Sequence, residues 1–132
     1  MVKNQVLTRA PPALRTYVVW VPVLEDDDRI SAAAASGLLP DEVEQFWDEG
    51  ARLSNALGGL LAIPPRRGET LDHGLAWDVY LLYAPGKLAD ATPYLWMHQL
   101  AQVSRAQAPR LDGKLLRSRL DELLPAPAPR KP

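Results

Sequence analysis

From Thr16 to Leu24 the chain reads Thr-Tyr-Val-Val-Trp-Val-Pro-Val-Leu, aromatic and β-branched almost throughout. A run of this kind, with no polar alternation, predicts a strand covered on both faces, as in parallel sheets. Helices are the usual cover, so this one segment already argues for an α/β domain. Pro22 has no N–H to give to a ladder, and regular pairing is expected to end near it. At 132 residues the chain is long enough for one domain with a core and too short for two. We expect an N-terminal segment over 1–13, a single α/β domain over 14–124, and a mobile Pro/Ala-rich tail over 125–132.

The remaining elements follow from punctuation and period. Asp27 or Asp28 is placed to cap a helix opening at Arg29, and Ser36-Gly37 weakens its end. Val43 to Trp47 fits two patterns: Val43, Phe46 and Trp47 at helical spacing, or Val43, Gln45 and Trp47 on one strand face. Periodicity favours the helix there. Ala51 to Ile63 is helical by pattern, with Leu53, Leu57, Leu60 and Leu61 on one side. Gly58-Gly59 weakens this helix but permits close packing, and Pro64-Pro65 stops it. Arg66 to Gly74 reads as a loop. Trp77 to Tyr83 reads as a strand, with Trp77, Val79, Leu81 and Tyr83 on one face and Asp78, Tyr80 and Leu82 on the other. Thr92-Pro93 then predicts a helix carrying Trp96, Leu100 and Val103. Asp112 opens a last helix with a Leu111–Leu116 staple and an apolar stripe of Leu116, Leu120, Leu123 and Leu124.

Composition removes several functions. The chain has no cysteine, which excludes disulfides, thiolate nucleophiles and thiolate metal sites. Fifteen basic residues stand against 16 acidic ones, and Lys and Arg never cluster beyond two in a row, so no nucleic-acid partner is expected. No apolar run approaches the ~20 residues that span a bilayer, and no signal peptide is visible, so neither a membrane partner nor export is expected. The expected location is the cytoplasm. The P-loop, GxGxxG, GxSxG and HExxH patterns are all missing, and no cofactor or metal is expected.

Two strings occur together, Tyr17-Val-Val-Trp-Val-Pro-Val-Leu24 and Ala76-Trp-Asp-Val-Tyr-Leu-Leu-Tyr-Ala-Pro-Gly86. With Phe46-Trp-Asp48 and Trp96-Met-His-Gln-Leu100, they make residues 16–100 resemble a group of thioredoxin-like bacterial proteins. The resemblance implies a mixed sheet with helices on both faces, and Tyr17 to Val21 beside or near Trp77 to Tyr83 at its centre. It also implies that Val43 to Trp47 is a short strand, against the periodicity. Two departures matter. A strand–CxxC–helix unit would precede Tyr17, yet only a short polar, proline-ended segment does, so that unit is missing or replaced. The position of the thioredoxin cis-proline reads Gly74-Leu75-Ala76.

The chemistry-bearing candidates are few. His98, with Asp78 or Asp48 as its partner, has the residue types of a general base or acid. On that reading the chain is a small hydrolase or lyase. Set against it, His98 is a structural histidine bonded to a carbonyl, and Asp78 a capping or edge aspartate. His73 lies in a loop where exposure accounts for it. Trp47, Trp77 and Trp96 would line a pocket in a small-molecule-binding protein, but such aromatics are more often core. The reading these residues favour is a non-catalytic, non-redox module that binds protein or assembles with itself. A homodimer is expected because loss of a covering helix would open the Tyr17, Val19 and Val21 face to water. The rival is that the helix from Asp112 to Leu124 folds over that gap.

Overall fold

Proline and aspartate set the boundaries of the first half. The computed structural model describes residues 13–24, 27–87 and 92–124. Strand β1 is Tyr17–Trp20, shorter than the apolar run that contains it and ending two residues before Pro22. Helix α1, Arg29–Ser36, starts where the Asp28 carboxylate accepts the Ser31 N–H at 2.7 Å. That bond holds the Asp28 carboxyl below its ordinary range. Strand β2, Glu44–Trp47, runs parallel to β1 with Tyr17 opposite Glu44 and Trp20 opposite Trp47. The strand implied by the resemblance is therefore present, and the helix favoured by periodicity is not. A five-residue string whose apolar positions suit both periods takes the form that satisfies the backbone of β1.

Helix α2, Arg52–Leu60, follows a 3-10 turn over Glu49–Ala51 in which Gly50 takes φ +67°. The close packing expected of its glycines occurs at Gly58, where a Cβ would stand 1.9 Å from the Gly74 carbonyl oxygen. Strands β3, Val79–Leu82, and β4, Leu95–His98, form an antiparallel pair, with Val79 opposite His98 and Leu82 opposite Leu95. Helix α3, Gly113–Leu123, is capped by the Asp112 carboxylate, which accepts from the Lys114 and Leu115 N–H groups.

Three expectations need correction. The segment read as a helix from Thr92 contains β4. Its Trp96, Leu100 and Val103 do meet in one cluster, but from a strand and the turn beyond it. A strand buried on both faces carries no alternation to betray it, so helical spacing matched by coincidence. The strand expected from Trp77 starts only at Val79, because Asp78 sits in the left-handed region at φ +50°. Finally, the described strands form two separate two-stranded sheets, one parallel and one antiparallel. β1 and β3 are not hydrogen-bonded neighbours.

The core belongs to the second sheet. On one side, Val79, Leu81 and Trp96 pack against Leu61, Ile63, Leu100 and Val103. On the other, Tyr80, Leu82, Leu95 and Met97 pack against Leu116 and Leu120 of α3. The two faces read from the alternation of β3 are the two faces found. The expected staple also forms, since Leu111 and Leu116 lie in the same cluster.

Candidate functional site

Asp48 directly follows β2 and is 7 % exposed. Its carboxylate accepts the Leu53 N–H at 3.0 Å and the Ser54 N–H at 2.8 Å, filling two of the donors that the first turn of α2 leaves open. The Ser54 hydroxyl donates to the Ala76 carbonyl at 2.9 Å, carrying the same network to the approach of β3. Both oxygens of Asp48 are thus engaged with backbone.

Asp78 and His98 are placed differently. Asp78 is exposed at the start of β3, where its Oδ1 accepts from the Tyr80 hydroxyl at 3.1 Å and from Gln99 Nε2 at 3.2 Å. Burial pushes the Tyr80 phenol above its ordinary value. The Gln99 hydrogen bond opposes that shift, and the nearby Asp78 charge adds to it. His98 is 0 % exposed, on the β4 face shared with Trp96. Its Nε2 lies 3.2 Å from the Ala108 carbonyl oxygen and is the donor of that bond. Nδ1 is buried with no partner among the described residues. No hydrogen bond joins His98 to Asp78 or Asp48. His73 is half-buried against Gly58 and Gly59 of α2.

The tryptophans divide between the two halves. Trp77 and Trp96 pack on the same cluster, and the Arg66 guanidinium lies 4.7 Å above the Trp77 ring. Trp47 sits in the parallel sheet and donates to Glu49 at 3.1 Å. Beside Trp77 is a cavity of about 60 Å³ lined by Val23, Arg66, Glu69, Leu75, Trp77 and Gln102. Ligand pockets run to roughly 300–1,000 Å³, so this one suits a few waters or a small end group. Trp47 and Trp96 do not line it. Among the described residues, no group of three or more His, Asp or Glu side chains is arranged to hold a metal ion.

One further feature stands out by exposure. In the parallel sheet, Val18, Trp20, Gln45 and Trp47 share the half-buried face, and Gln45 Nε2 donates to the Ser36 carbonyl at the end of α1. Tyr17, Val19, Glu44 and Phe46 share the opposite face. There the Tyr17 and Phe46 rings touch, with centroids 6.2 Å apart, yet they are 57 % and 52 % exposed. Arg15 extends this face and lies 3.7 Å from Glu44. Sequence reasoning singled out Tyr17 and Val19 but passed over Phe46. The signal was present, since a strand placing Gln45 and Trp47 inward must send Phe46 outward.

In comparisons with known proteins, the chain matches no family model, no curated protein and no solved structure.

Proposed function

We propose that the chain is a non-catalytic, thioredoxin-like binding module whose contact surface is the open face of the β1–β2 sheet. The observation that carries this reading is the Tyr17–Phe46 pair, two touching aromatic rings more than half exposed on a parallel sheet. Parallel sheets are normally covered on both faces, and exposed apolar patches on soluble domains mark contact sites. The rival cover is engaged elsewhere, because the leucine stripe of α3 packs on the β3–β4 sheet.

Support for the thioredoxin-like part is the order of elements. A parallel strand–helix–strand unit is followed by a helix, an antiparallel strand pair and a closing helix. Support for the non-catalytic part is the engagement of the candidates. Asp48 serves the backbone of α2, His98 is sealed beside Ala108, and Asp78 bonds to Tyr80 and Gln99. With no cysteine, thiol–disulfide exchange is closed to the chain itself.

Hydroxyl-radical footprinting tests the surface. Tyr17 and Phe46 should be protected in native extract relative to dilute purified protein, while exposed Leu71, outside both strands of the sheet, keeps its reactivity. Equal reactivity of all three in both samples would overturn the proposal.

A further inference from the structure

The open face is not only apolar; it is self-complementary. It consists of two rows, Arg15, Tyr17 and Val19 from the β1 side, and Glu44 and Phe46 from β2. One row carries the cation and the other the anion. An isologous interface requires a patch that matches itself, with each half of the patch meeting the other half on the second copy. A two-fold axis running along the strands, midway between the rows, does this. It lays each Arg15-Tyr17-Val19 row on the partner's Glu44-Phe46 row. Sheets stacked about 10 Å apart interdigitate their facing side chains, which places aromatic against aliphatic at the centre and opposite charges at the rim.

We infer that the occupant of this face is a second copy of the chain, docked face to face with Glu44 of each copy over Tyr17 of the other and within reach of its Arg15. The inference rests on the binding-module reading and names its partner. The charge pattern selects the second copy over other partners. A surface for an acidic or a basic peptide would carry one sign, whereas this one carries one of each, in opposite rows. Within the chain Arg15 and Glu44 form an ion pair at 3.7 Å, and with side chains 80 % and 48 % exposed both stay reachable from a second copy. Four or five side chains per copy fall below the ~800 Å² per partner of standard stable complexes, so the dimer is expected to exchange and to depend on concentration.

Light scattering and sedimentation equilibrium on the full chain test this with charge swaps. The wild type should dimerise with rising concentration. Arg15→Glu alone and Glu44→Arg alone each place like charges together twice across the axis, and should weaken the dimer roughly tenfold or more. Mixed together, these two single variants should associate with each other at close to wild-type strength. The mixture is decisive because each variant still carries like charges within its own chain. Restored association therefore comes only from contacts between copies, and it also shows that both variants fold. Phe46→Asp, at an exposed position, should abolish the dimer. A wild type that stays monomeric to its solubility limit overturns the inference, while footprint protection in extract would keep the binding reading alive. A dimer that Phe46→Asp dissolves but the mixed variants fail to restore overturns the two-fold arrangement alone. A dimer indifferent to Phe46→Asp overturns both the inference and the choice of surface.

Discussion

Strand β4, Leu-Trp-Met-His, contains a histidine, and both Met97 and His98 are 0 % exposed. Strand β1, Tyr-Val-Val-Trp, has no charged residue, and none of its residues is buried. The more apolar strand is the less covered one. What separates them is what lies above and below. The β3–β4 sheet has the Leu61–Ile63 segment and the Leu100–Val103 turn on one face and α3 on the other. The β1–β2 sheet has α1 on one face, and α1 itself buries no residue. Burial is a property of the layers around a strand, and a strand's own composition states only what it would bury if cover came.

The largest test of this contrast is a pair of truncations. Met97→Ala should cost about 2–5 kcal/mol, because it empties a fully enclosed site that the sheet and α3 cannot close. Ile30→Ala on α1, at a side chain left mostly in water, should stay within about 0.5 kcal/mol. Urea unfolding at matched dilution measures both; equal losses would break the comparison.

The two adjacent glycines of α2 give the next largest effect. At Gly58 an added methyl meets the backbone of Gly74, whereas at Gly59 it meets the His73 ring at 3.1 Å, a side chain rather than backbone. Gly58→Ala should therefore lower stability by about 1–3 kcal/mol. Gly59→Ala should lose less or gain, since alanine is favoured over glycine in a helix by roughly 1 kcal/mol. The difference in melting temperature between the two variants checks it.

Asp48 stands where the halves meet, and Asp48→Ala should cost about 1–2 kcal/mol by leaving the Leu53 and Ser54 N–H groups without acceptors. Amide exchange at those two positions should speed up more than exchange at Met97.

The smallest effect is on pH dependence, with one carboxylate in each half. Asp28 is held low by the Ser31 N–H; Glu122 is held low by the Tyr94 hydroxyl and then by Arg119. Each lowered pKa means that the native state binds fewer protons than the unfolded chain between the two values. That stability is complete above the ordinary carboxylate pKa of about 4 and is lost as pH falls through the lowered native value. Both groups are fully solvated, so the losses are small. Asp28→Asn and Glu122→Gln should each flatten the melting temperature between neutral pH and pH ~3. The first should also remove the acid fraying of α1 seen by helix-region amide exchange.

Local chemistry was legible wherever one residue decides the outcome within a few neighbours. Asp28, one of the two aspartates placed to open its helix, and Asp112 act as caps, Gly58 marks a close approach, and the alternation of Val79 to Leu82 names both faces of its strand. The absence of cysteine settled the fate of thiol chemistry outright. The mobile tail expected over 125–132 and nearly all of the N-terminal segment expected over 1–13 lie outside the described residues. What the tertiary structure alone decided is which layers meet. Trp96, Leu100 and Val103 can share a cluster from one helix or from a strand and the turn beyond it, and only pairing with β3 selects the strand. Likewise, nothing within Tyr17 to Trp20 says that α3 spends its leucines on the other sheet. Hydrophobic burial is non-directional, so a sequence announces how much apolar surface needs cover, and long-range packing assigns the cover that each surface receives.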